Sequence, residues 1–162
     1  MAKRRAIRRL PVLISIVVAM TLAIAPLPEA AEPFKPDWVL LTLIYWSMIL
    51  PRNFSVGSAW ITGLVLDVAQ GTLLGQHALA LSAIVFLTVR FHLQLRLFPL
   101  SQMTLTVAAL ISLYQFILFW INGVAGVGAS GISFWGPLFS GTLLWPLVYL
   151  LFGTVSYRRR SA

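Results

Sequence analysis

LSQMTLTVAALISLYQFILFWI, the stretch from Leu100 to Ile121, contains no Asp, Glu, Lys, Arg or His. At ~1.5 Å of rise per residue, a helix of this length covers the ~30 Å hydrocarbon core of a bilayer. Pro99 closes the chain in front of it, and an uncharged segment from Asn122 to Ser133, with Gly123, Gly126, Gly128 and Gly131, follows it. Beyond lies another apolar run, Phe134 to Phe152, that ends in Arg158-Arg159-Arg160. The same texture fills the rest of the chain. With 59% hydrophobic and 10% charged residues among 162, too little polar surface exists to coat a water-soluble globule of this size.

Four further runs precede Leu100, giving approximate spans 10–27, 37–50, 55–71, 76–96, 100–121 and 133–153 in a single polytopic membrane domain, 1–162. The expected fold is an all-α integral membrane protein of six transmembrane helices with both termini cytoplasmic. The first run follows Lys3, Arg4, Arg5, Arg8 and Arg9, an arrangement shared by signal peptides and uncleaved first helices. Pro26, directly after the small pair Ala23 and Ala25, disfavours cleavage, so an uncleaved span is expected. The second and third runs are short for spans. A crossing pair is preferred over a re-entrant hairpin, which would strand Arg52 at depth.

Charge tests this topology, because cytoplasmic flanks collect Lys and Arg. Of the twelve basic residues all but Lys35 fall on the cytoplasmic side, and Glu29, Glu32, Asp37 and Asp67 lie at or toward the other. The net charge of +8 therefore reads as orientation and as contact with the lipid bilayer; no basic amphipathic surface for nucleic acid joins these residues. Zero cysteine removes disulfides and thiolate chemistry. His77 and His92 fall at opposite ends, both reading as interfacial, and no metal-ligand spacing, nucleophile–base pair or phosphate loop is present. Neither an enzyme nor a cofactor is expected.

The segment Gly63-Leu-Val-Leu-Asp67-Val-Ala-Gln-Gly71-Thr-Leu-Leu-Gly75 carries the one acid inside an apolar run. Positions four apart share a helical face, so Gly63, Asp67, Gly71 and Gly75 are candidates for helix packing or partner contact. Asp67 reads as an internal strut between helices or a cap near Gly71, as a partner-coupling group, or as a ligand or ion site. Pro36, Asp37 and Trp38 form a helix-start device: proline sets the entering backbone, Asp37 complements the positive helix end and Trp38 sits at the interface. Pro51-Arg52-Asn53 reads as a tight inner turn with an anchoring charge.

Lys35-Pro36-Asp37-Trp38-Val39-Leu40-Leu41, Tyr45-Trp46, Leu50-Pro51-Arg52, Val56-Gly57, Gly63, Leu66-Asp67, Gly71 and Leu74-Gly75, with Phe119-Trp120 and Trp145-Pro146 further on, together resemble the rod shape-determining MreD family of the gammaproteobacterial type. The resemblance covers nearly the entire chain and is densest from Pro36 to Gly75. It implies a non-enzymatic inner-membrane scaffold of the cell-elongation complex, which builds peptidoglycan and maintains rod shape. The partners implied are MreC, RodA, a class B penicillin-binding transpeptidase and MreB filaments. It also implies a core similar to the substrate-binding components of energy-coupling-factor transporters, a fold-level analogy that leaves a vitamin-type transporter component as the alternative function.

Overall fold

The computed structural model describes the backbone of residues 2–52, 54–127 and 131–158, and the side chains of 10–52, 54–127 and 134–153. The described residues form helices α1 (Ala2–Ile24), α2 (Trp38–Ile49), α3 (Val56–Gln70), α4 (Gln76–Arg90), α5 (His92–Leu97), α6 (Leu100–Val124) and α7 (Gly131–Arg158), with a single 3-10 turn at Glu32–Phe34. No strand occurs among them. Two segments, Leu100–Val124 and Phe134–Gly153, are long and apolar enough to cross a membrane by length and composition.

Helix α2 is the axis of the bundle. Every residue from Val39 to Met48 is buried, as its all-round apolar sequence demands. Helices α1, α4 and α7 surround it, α5 lies against its end, and α6 packs on α4 and α7. Around this core the apolar side chains point outward: Leu143 is 81% exposed, Leu105 73% and Val68 73%. Such a belt of bare hydrocarbon is foreign to a water-soluble monomer and is what lipid-facing helices present.

The helix ends fall into two groups. The Lys35 ammonium donates to the Ala25 carbonyl at 2.8 Å, joining the end of α1 to the approach to α2. At the other end the indole N–H of Trp46 donates to the Ser15 hydroxyl at 2.8 Å, and the ring of Phe152 stands 5.9 Å from that of Trp46. So α1 runs antiparallel to α2 and α7 runs parallel to it. The segments bearing the basic clusters of α1, the Pro51-Arg52 turn, Arg90, Arg96 and the end of α7 thereby share one end of the bundle. Arg52 is exposed there, and Asn53 lies outside the described residues. Glu32, Lys35, Asp37 and Asp67 share the opposite end.

Most boundaries shift by a few residues from the sequence expectation, α7 for one running from Gly131 to Arg158, and three differences stand out. Helix α1 starts at Ala2, so the basic residues are themselves helical, and α6 continues through Asn122 to Val124. The third difference is larger: the run expected as one helix over 76–96 breaks at Phe91 into α4 and α5. The cause is tertiary. Bending buries Leu95 to 3% exposure and brings Arg96 to the open end of α2, where its Nε donates to the Met48 carbonyl at 2.9 Å and a terminal nitrogen donates to Ile49. A helix C-terminus leaves its last carbonyls unbonded and slightly negative, so a guanidinium satisfies both the hydrogen bonds and the dipole. Arg96→Gln is expected to cost about 1 kcal/mol, read as a lower thermal midpoint in detergent, whereas Arg90→Gln at the same end shifts it less.

Candidate functional site

The site grows from the way α3 stops. Gly71 adopts φ 65°, and the N–H groups of Gly71 and Thr72 return to the carbonyls of Val68 and Asp67 at 3.4 and 3.0 Å. This is a Schellman termination, which favours glycine because a Cβ is strained at positive φ. Gly75, at φ 99°, then launches α4. Gly71 and Gly75 are therefore turn residues, and the face expected to run through all four candidates extends only over Gly63 and Asp67. On that face a Cβ at Gly63 would stand 2.3 Å from the Ala78 Cα and 2.5 Å from the Ala78 nitrogen. The two helix backbones touch here.

This contact lets Asp67 reach across to the start of α4. Its Oδ2 accepts from the Gly75 N–H at 2.8 Å and, more weakly, from Ala78 at 3.5 Å. Its Oδ1 accepts from the His77 N–H at 3.1 Å, the Thr72 hydroxyl at 3.0 Å and the His77 ring Nδ1 at 2.7 Å. An ionised carboxylate only accepts, so Nδ1 carries the proton in this pair. Gly75 has no side chain with which to cap α4, and the orphan N–H groups of that helix start are met instead by a carboxylate from α3. Asp67 is wholly buried and His77 is 6% exposed. His77, read as interfacial, stands at this end of the bundle with its ring turned inward by the shared carboxylate.

Helix α6 extends the polar cluster. Tyr114, buried, places its ring 6.3 Å from that of His77, and the next residue, Gln115, donates from Nε2 to the Asp37 Oδ2 at 3.0 Å. Asp37 precedes α2 but makes no side-chain bond to that helix's own N–H groups; its carboxylate ties α2 to α6. Pro36 and Trp38 flank it, with the Trp38 N–H returning to the Pro36 carbonyl at 2.9 Å. Pro51 and Arg52 stand at the opposite end and take no part. Thr72, His77 and Tyr114 escaped the sequence reading of the site. Only the rarity of polar residues in apolar runs pointed to Gln115, and His77 is ten positions from its partner.

Each Asp67 oxygen is engaged by donors of the chain itself, so the arrangement binds a turn shut and fixes the spacing of α2, α3, α4 and α6. Among the described residues no group of three or more His, Cys, Asp or Glu side chains gathers as a metal site would require.

A bundle of apolar helices with a lipid-like exterior, two helices of spanning length and a polar knot inside defines an all-helical membrane protein. Within that class, residues 3–155 match the family model for rod shape-determining protein MreD, and the chain belongs to that family. It is 31% identical to the rod shape-determining protein MreD of Haemophilus influenzae, over 83% of each chain. No solved structure gives a significant match.

Proposed function

We propose that this chain is a multi-pass inner-membrane scaffold of the bacterial cell-elongation complex, without catalytic activity, that supports peptidoglycan synthesis and rod shape by holding other components together. Family membership over nearly the whole chain carries the reading. The structure supports it in two ways: the polar groups around Asp67 and Asp37 answer one another, and among the described residues little lies outside the helices to meet partners except short turns. The grouping of basic segments at one end supports six crossings with both termini cytoplasmic, α4 and α5 together making the fourth. Helices α2, α3 and α4 are shorter than the hydrocarbon core at ~1.5 Å per residue, and α2 is shielded by protein, so tilt and local thinning would accommodate them. The partners proposed on family grounds are MreC, RodA, a class B penicillin-binding transpeptidase and MreB filaments.

Depleting the chain in its source bacterium is expected to turn rods into spheres, and affinity capture from membranes is expected to bring down a single-pass wall-synthesis protein. Cells that stay rod-shaped without it contradict the proposal. So does purified chain that carries a bound small molecule and no protein partner, which is the result a transporter component would give.

A further inference from the structure

Between α1, α2 and α7 lies a groove of about 460 Å³ that opens sideways past the half-exposed Val18 and Leu151. Its floor is one face of α2, where Trp38, Thr42 and Trp46 follow at intervals of four residues. The Trp46 indole is already bonded to the Ser15 hydroxyl, which itself returns to the Val12 carbonyl. Thr42 is different. Each other described threonine within a helix donates its hydroxyl to the carbonyl three or four residues back, which hides a polar group in an apolar helix. The Thr42 hydroxyl makes no hydrogen bond among the described residues, although Thr42 is only 4% exposed and lines the groove. Trp38, one turn nearer the Asp37 end, lines the same groove, and its indole N–H has no acceptor among the described residues either.

A buried donor without an acceptor is costly, so an occupant that brings an acceptor gains a bond the chain alone leaves unmade. Water fits poorly. A buried water needs ~2–4 polar partners, and the antiparallel register fixed by the Ser15–Trp46 bond sets Ala19, an apolar groove residue, across from Thr42. A partner helix is too thick: the α1 wall from Pro11 to Leu22 is ~16 Å long, and a helix ~10 Å across needs roughly 1300 Å³ over that length, about three times the groove. The remaining fit is a slender hydrocarbon chain with an acceptor near its end. A membrane diacyl lipid has this form, since each chain ends in an ester carbonyl that accepts and cannot donate.

We propose that the groove holds a diacyl glycerophospholipid entering from the bilayer, with one ester carbonyl accepting from the Thr42 hydroxyl, the second at the level of Trp38, and an acyl chain running along Ser15 and Trp46. The proposal rests on the membrane part of the reading above and is independent of any role in cell shape.

The test is native mass spectrometry of the full chain in mild detergent, with equal amounts of dioleoyl phosphatidylethanolamine and its ether-linked analogue, which keeps headgroup and chains but has no ester carbonyl. The ester lipid is expected to be retained in preference, by about fivefold or more for the bond gained. Thr42→Val keeps the shape, removes the donor and is expected to lower that preference about fivefold, whereas Thr62→Val, whose hydroxyl is bonded within α3, leaves it unchanged. Val18→Trp fills the slot and is expected to abolish retention of both lipids. Thr42→Val should also hold or raise the thermal midpoint in lipid-free detergent, because the hydroxyl it removes bonds nothing in the chain. Equal retention of the two lipids overturns the proposal, as does a preference that survives Thr42→Val, retention that survives Val18→Trp, or a midpoint that falls in Thr42→Val. A second copy of the chain or a co-purified helix seated in place of lipid also overturns it. Chain that extracts without detergent would instead remove the membrane reading, whereas a chain that supports rod shape and shows no ester preference loses this site alone.

Discussion

Membranes producing Asp67→Leu are expected to contain little folded protein. The substitution leaves the N–H groups of Gly75 and His77, the His77 ring N–H and the Thr72 hydroxyl without the acceptor they share in the parent. Each buried group left unbonded costs about 1–3 kcal/mol, and total stability of a domain is about 5–15 kcal/mol. Leucine's own burial recovers about 2 kcal/mol and cannot offset the sum. Asp67→Asn is milder, because its side-chain oxygen still accepts from the helix start and its amide can donate to a His77 that shifts tautomer. The check is size-exclusion profile and abundance of a fluorescent fusion. Normal abundance together with normal partner capture would show that the carboxylate neither closes the turn nor matters to assembly.

Gly63→Ala is expected to lower the thermal midpoint of the detergent-solubilised chain, and Gly63→Leu to prevent folding. Two effects oppose each other. Alanine gains about 1 kcal/mol over glycine in helix propensity. Against that, its Cβ meets backbone atoms at Ala78 that no rotamer change can move, so α3 and α4 must separate. Overpacking of this kind costs about 1–3 kcal/mol, more where backbone is the obstacle, and separation also lengthens the Asp67 bonds one turn away. Gly57→Ala provides the contrast in the same helix: its nearest neighbour would be the Ser55 hydroxyl at 3.6 Å, an ordinary contact, so propensity decides and the midpoint should hold or rise. Equal responses at the two glycines would contradict the close approach at Gly63.

What the sequence made legible was the apolar periodicity and its exceptions. Leu100 to Ile121 and Phe134 to Phe152 announced the two long helices, and Asp67 stood out as an acid where hydrocarbon was expected. Of the three readings of Asp67, the strut is the one we propose on its hydrogen bonds to the start of α4. Gly71 and Gly75 show why spacing misleads: four-residue intervals look like a helical face, yet the sign of φ at Gly71 ends the helix, and a one-dimensional pattern carries no φ. His77 was hidden by the turn that this termination creates. The break at Phe91 was hidden for another reason, since nothing local forbids helix there and the bend is driven by the unbonded end of α2, more than forty positions away. Arg96, read only as a topology signal, also serves as that helix's cap.

The Asp67–His77 pair locks the α3–α4 turn, and a double-mutant cycle tests this most directly. Unfolding free energies of Asp67→Ser, whose short side chain does not reach the His77 ring, of His77→Phe and of the double variant should be strongly non-additive, with a coupling of about 1 kcal/mol or more, as residues in direct contact show. Losses that add to within about 0.5 kcal/mol would mean that the two side chains act independently and that the turn is held by something else.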